Sequence, residues 1–264
     1  MKKIFIFTIS FFLSNVCFSQ QNGIVYYGFI ESFIEGNAKG SDSNSYMIFN
    51  NNQSYYVSAK DSLENKPLLN RTTAYEKKYA GEREHSGKRS IQGDQVFYDL
   101  KKKIIWSCLY TSDEFIYVKE DVNKLLWNIT NETKKIGKFN CKKAKVFFRG
   151  RNYIAWFTTE FSVPFGPWKL NGLPGLIMEA YDTNKNVFWY FKNIEYPTKN
   201  AEKVNFIKKS KKEKQIKFVS LTDFKNFQLL KQQEAIETNR ITQKQFKNII
   251  FVDPKLSEMF IEFE

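Results

Sequence analysis

Apolar and polar residues alternate along most of this chain with the two-residue period of half-buried strands. From Gly23 the run Gly-Ile-Val-Tyr-Tyr-Gly-Phe-Ile reads as a first strand, residues 35–45 as a Gly/Asn/Ser loop, and Tyr46-Met47-Ile48-Phe49 as a second strand. Asn50 to Gln53 reads as the tip of a hairpin that returns through Ser54-Tyr55-Tyr56-Val57. Strand signals resume at 95–100, 104–110, 115–119 and 125–129, parted by short polar turns as in an antiparallel meander. Residues 139–148 and 153–158 flank Arg149-Gly150-Arg151-Asn152, a hairpin link whose glycine is free to take φ > 0, and 187–196 is a further aromatic strand. Helical spacing is concentrated near the C-terminus. After Leu221-Thr222-Asp223, the residues Phe224, Phe227, Leu230 and later Ile236 recur among Lys, Gln and Glu.

This pattern predicts an α+β fold, predominantly antiparallel β. We expect a strongly curved, half-barrel-like sheet with a C-terminal amphipathic helix and a Pro/Gly loop against its concave face. One mostly-β domain over 20–264 is the simplest division, interrupted at about 59–92 by a charged insertion where apolar residues thin out. The tail, 248–264, combines a strand-like Ile249-Ile250-Phe251-Val252 with a short closing segment.

The first twenty residues stand apart. A positive start at Lys2 and Lys3, an apolar run from Ile4 to Leu13, and small or polar residues from Ser14 to Ser19 have the order of a signal peptide, with cleavage expected after Ser19. As a helix the apolar run would span about 15 Å, half of a ~30 Å hydrocarbon core, which disfavours a permanent anchor. Cys17 raises a lipoprotein alternative, but Val16 before it is bulkier than lipoprotein processing accepts. The expected address is the periplasm, the cell surface or the medium, with no transmembrane segment in the mature chain.

Aromatic residues make up 17% of the chain, enough flat, β-favouring side chains to argue against disorder over most of its length. The formal charge is +13, or +11 once Lys2 and Lys3 are removed. Lys, Asn, Ile and Phe are abundant everywhere, as in the product of an AT-rich gene, so the charge does not argue for nucleic acid, and none is expected as a partner. The basic run from Lys208 to Lys214 reads as a solvated turn, with an anionic lipid surface as the alternative. Cys108 and Cys141 lie in strand-like segments; a disulfide and a pair of buried free thiols are both open.

Candidate chemistry is sparse. The one histidine, His85, falls in the charged insertion, so a His-rich metal site is excluded. There is no Cys-x-x-Cys spacing and no phosphate-binding glycine loop; no cofactor, metal or catalytic residue is assigned. Carboxylates alone can serve a glycoside hydrolase, and Glu160, Glu179 and Asp182 are close in sequence. The segment from Val163 to Ile177 holds Pro164, Pro167, Pro174, Gly166, Gly172 and Gly175, which cannot continue a helix or an interior strand. Phe165, Trp168, Leu170, Leu173, Leu176 and Ile177 within it are apolar where a solvent loop would be polar, so the loop must be rigid and packed. A structural plug at one end of the sheet is favoured over a ligand-contacting rim built from Phe165, Trp168, Leu173, Pro174, Leu176 and Ile177 together with Trp156.

Gly172-Leu173-Pro174-Gly175-Leu176-Ile177 resembles the signature of the GLPGLI family of exported Bacteroidetes proteins. Similar short motifs precede it: Cys141-Lys-Lys-Ala144, Phe148-Arg149-Gly150-Arg151, Ala155-Trp156-Phe157-Thr158 and Gly166-Pro167-Trp168. The resemblance covers about Trp127 to Tyr196 and implies export and a Bacteroidetes origin. That family has no established activity, so it lends no catalytic residue. The leading expectation is therefore a non-enzymatic binding or accessory protein of the cell envelope, its partner unknown, with a lipid, a lipidated chain or an outer-membrane protein segment as candidates. A carboxylate-based hydrolase acting on envelope glycans or peptides is the second reading. A structural module docking on an outer-membrane machine through β-edge pairing is the third.

Overall fold

The computed structural model describes residues 21–58, 93–110, 115–122, 124–199, 217–246 and 250–263. The leader over 1–19, the insertion at 59–92 with His85, and the basic run at 208–214 lie outside the described residues.

Twelve strands form one sheet: β1 (Gly23–Glu31), β2 (Ser41–Phe49), β3 (Gln53–Val57), β4 (Gln95–Asp99), β5 (Ile104–Tyr110), β6 (Phe115–Asp121), β7 (Asn128–Ile136), β8 (Phe139–Phe148), β9 (Arg151–Thr158), β10 (Leu176–Asp182), β11 (Val187–Glu195) and β12 (Phe218–Val219). Their order is β12-β6-β5-β4-β3-β2-β1-β11-β10-β9-β8-β7. Two meanders, β1 to β6 and β7 to β11, are thus joined along β1 and β11. Every neighbouring pair is antiparallel except β12 and β6. The sheet curls without closing, because β12 and β7 remain at opposite ends of the order.

Strand alternation divides the side chains between two faces. The core face carries Val25, Tyr27, Phe29, Met47, Val96, Ala155, Ala180, Val187 and Trp189, all buried, and the main core forms there. The outer face carries a second, smaller cluster over β1 to β6, including Tyr46, Ile48, Tyr55, Phe97, Cys108 and Tyr117, against which Phe218 packs. The hairpin between β8 and β9 is tighter than the four-residue link expected. Phe148 pairs with Arg151, so Arg149 and Gly150 alone make the turn, with φ of 51° and 81°.

Three strands were not foreseen, among them the two-residue β12, which is too short to show an alternation. β7 is a polar sequence at a sheet end, where one side of the ladder faces no partner strand and the burial pattern of an interior strand is absent. β10 begins inside the Pro/Gly segment at Leu176, because its backbone pairs with β9 from Thr158 onward. Residues 250–252 are not in a strand, and Ile250 and Val252 are 85% and 81% exposed.

The helix is present but placed differently from expectation. α1 (Leu221–Gln245) starts at Ser220, whose hydroxyl accepts from the Asp223 amide while the Asp223 carboxylate accepts from Ser220 N–H. The Ser220 hydroxyl, donating to the Asp223 carboxylate at 2.7 Å, and then the Ser220 N–H hold that carboxyl below its usual range. Phe224 and Gln228 are its buried residues, and it meets the sheet at β6; Leu229, Leu230 and Ile241 are exposed. The core face is instead covered by the Pro/Gly loop. A short α2 (Leu256–Met259) follows, and the tail after it returns to the β8–β9 hairpin, where the Phe263 amide donates to the Arg149 carbonyl.

Candidate functional site

The Pro/Gly loop behaves as a plug. Phe165, Trp168, Leu170, Leu173, Leu176 and Ile177 are each 5% exposed or less, and they merge with the main core. Trp168 stacks on Trp189 with ring centroids 6.1 Å apart, and Phe165 meets Tyr98 edge-on at 5.6 Å. Buried loop backbone needs partners, and it has them. Gly172 N–H donates to the Pro164 carbonyl at 2.9 Å, Ile177 N–H to Phe165 at 2.9 Å, and Trp127 Nε1 to Asn171 at 2.7 Å. Of the rim residues considered above, only Pro174 is exposed, so they hold the loop in the core and present no lining to a ligand.

Lys169 in the same loop has a fully buried side chain. Its ammonium lies 2.5 Å from Glu120 Oε1 and 2.7 Å from Glu262 Oε1. Arg149 completes the set, donating to Glu120 and lying 3.6 Å from Glu262. Two cations and two carboxylates from β6, the hairpin tip, the loop and the tail therefore cancel in the interior. Next to them Arg151 donates to the carbonyls of Ser257, Phe260 and Ile261 and to Asp182. This is a structural lock: every charge is consumed by another, and the tail is fixed to the sheet. It also removes Asp182 from the candidate carboxylates, since Asp182 is buried against Arg151 and accepts from the Val187 amide.

Glu179 and Glu160 have a different setting. The registers place Lys143, Trp156 and Glu179 side by side across β8, β9 and β10, with Lys134 of β7 opposite Cys141 of β8. Lys134 Nζ donates to Glu179 Oε1 at 2.6 Å and lies 4.5 Å from the Trp156 ring centroid. Lys143 donates to the exposed Glu132 at 2.8 Å, which holds that carboxyl below its usual range. Burial pushes the Cys141 thiol up to about 11; Lys134 opposes the shift, and the negative fields of Glu179 and Glu160 add to it. Both carboxylates thus act on one thiol. Cys141 stays a neutral thiol near neutral pH, which excludes it as a ready nucleophile.

The disulfide alternative is not realised. Cys108 and Cys141 are not bridged to each other and lie buried in different clusters, on β5 and β8, which seven other strands separate in the sheet order. Sequence reasoning singled out Trp156, Glu160 and Glu179 but missed Lys134 and Lys143. The signal for them was weak: lysines on strands in a chain rich in lysine.

Comparison with known proteins supplies the remaining information. Residues 96–226, just under half of the chain, match the family described as N-glycanase peptide, N-terminal domain. Two solved structures are similar: PNGF-II in space group P21, with a TM-score of 0.51, and PNGF-II in space group C2, with 0.49. In both the identity is 14%, and the match covers 78% of this chain and 32% of the other. The chain therefore spans about a third of the solved proteins it matches, and the P21 likeness is one of fold. No curated protein sequence matches significantly. These matches overturn the leading expectation of a non-enzymatic envelope-binding or accessory protein holding an apolar ligand. The loop that was to line its groove is buried as core, and the family match is to part of a glycan-acting enzyme. Among the described residues no helix is long and apolar enough to cross a membrane.

Proposed function

We propose that this chain is a carboxylate-based hydrolase directed at protein-linked glycans, with Glu179 and Glu160 as its working carboxylates. The observation that carries the proposal is Glu179, held by Lys134 at 2.6 Å within the segment similar to the N-glycanase family. Hydrolysis of a glycan linkage needs a water relieved of a proton and a leaving atom supplied with one, and paired carboxylates perform both tasks. Glu179 is the more firmly positioned of the two. Lys134 fixes its position at 2.6 Å, and the Trp156 ring beneath that ammonium limits access of bulk water. Glu160 is exposed just past the end of β9, within reach of a leaving group arriving from solvent. Export through the leader over 1–19, and kinship with the GLPGLI proteins, belong to the same proposal, as does the description of the sheet as a half-barrel.

The test is mass spectrometry of an N-glycosylated protein incubated with the purified chain. Loss of whole glycans is expected, and Glu179→Gln should slow it by about 10²-fold or more. Absence of released glycan, or wild-type rates in both Glu179→Gln and Glu160→Gln, would reject the proposal.

A further inference from the structure

We propose that the outer face of the sheet carries a sugar-stacking platform made of Tyr181, Phe188 and Tyr190, leading away from Glu179. The inference rests on the glycan-directed reading above and names where the body of the glycan lies.

Glu179 and Tyr181 are two residues apart on β10 and so project from the same side, while Ala180 between them is buried in the core. Tyr181 pairs with Phe188 of β11, Phe188 with Ile30 of β1, and Tyr190 with Gly28 of β1. The rings follow one another at centroid distances of 5.4 Å and 5.7 Å. All three are part-exposed, whereas Val187 and Trp189, which alternate with them, are fully buried. The platform is built into the backbone. A Cβ at position 28 would lie 1.9 Å from Tyr190 Cζ, so glycine there lets the ring lie flat on the sheet.

Groups suited to hydroxyls rim the rings. The Tyr190 hydroxyl donates to Asp42 Oδ2 at 2.9 Å, and Lys192 Nζ donates to Asn44 Oδ1 at 2.6 Å. Asn44 and Asp42 are brought alongside by their pairing with Gly28 and Ile30. Lys185 reaches over Tyr181 and Phe188 at 5.5 Å and 5.6 Å. Burial, and then the bond to Asp42 and its charge, push the Tyr190 hydroxyl up to about 12, so it keeps its proton at neutral pH. A protein partner would favour a patch whose centre lacks charge, because charged groups are depleted from interface cores. Here ammonium and carboxylate groups interleave with the rings. Flat apolar rings edged by donors and acceptors match a pyranose, which has an apolar C–H face and a hydroxyl rim.

The test is isothermal titration with a free high-mannose N-glycan, using the wild-type chain, Phe188→Ala, Tyr190→Ala and Tyr190→Phe, each checked for a cooperative thermal transition. Loss of one ring should weaken binding about tenfold, while Tyr190→Phe, which keeps the ring, should stay within about threefold of wild type. Equal affinity in wild type, Phe188→Ala and Tyr190→Ala, or no binding by folded wild-type protein, overturns the platform. Binding that depends on the rings, in a chain that releases no glycan, supports the platform and rejects only the catalytic reading. Glycan release that is insensitive to ring loss does the reverse.

Discussion

Replacing Lys169 by methionine should destabilise the protein by about 3–5 kcal/mol, the usual cost of leaving a buried charge without its partner. The lock holds two cations, Arg149 and Lys169, against two carboxylates, Glu120 and Glu262, and the Lys169 ammonium bridges the two carboxylates at 2.5 Å and 2.7 Å. Methionine keeps the length and apolar stem, so packing changes little, but the interior is left with one negative charge in excess. Removing a carboxylate as well restores neutrality. Lys169→Met/Glu262→Gln should therefore be less destabilised than the sum of its single variants, with a coupling of about 1.5–3 kcal/mol. Urea unfolding followed by tryptophan fluorescence measures both quantities, since Trp168 and Trp189 are buried beside the loop and stack on each other. A cost below about 1 kcal/mol, or additivity within about 0.5 kcal/mol, would refute the lock.

Two further outcomes follow from the same interior. Stability should fall on the alkaline side: Cys141 is raised from 9.0 to about 11 and Tyr98 from 10.0 to about 12, both by burial, and burial raises Tyr27, Tyr56 and Tyr153 as well. Such groups contribute fully below their unfolded values, and the contribution is lost as pH climbs through the folded ones. Cys141 adds to this loss as pH rises from its ordinary 9.0 towards about 11. Denaturant midpoints that stay level from pH 8 to 11 would contradict this, as would tyrosinate absorbance appearing before unfolding. Arg151→Lys keeps the charge but not the fork that reaches three tail carbonyls and Asp182, so a loss of about 2–3 kcal/mol is expected. Limited proteolysis should then cut the tail after Asp253 faster than in wild type; equal rates would show that the tail does not depend on the clamp.

Residues close in sequence were legible because their physics is local. The strands β1 to β6, β8, β9 and β11 announced themselves by alternation, and the α1 start by Leu221-Thr222-Asp223, since pleat and helix start depend on neighbours within a few positions. The apolar filling of the Pro/Gly segment correctly required a packed loop. Glu160, Glu179 and Trp156 could be picked out as candidates because carboxylates and aromatic rings are recognisable by type. Their grouping could not, because it depends on the register of four strands.

What the sequence determined by itself is the β-dominated architecture, the rigid buried loop and the late helix, all set by side-chain period, proline and glycine. Only the tertiary structure decided where charges go. Lys169 looks like a surface lysine until β6, the hairpin tip and the tail converge on it from positions 20 to 93 residues away. It also decided that α1 meets the sheet at β6 while the tail is held at the β8–β9 hairpin, and that Tyr181, Phe188 and Tyr190 share one face with Glu179. Each of these follows from strand order, and strand order is set by which apolar faces bury one another across the whole chain, which no local window contains.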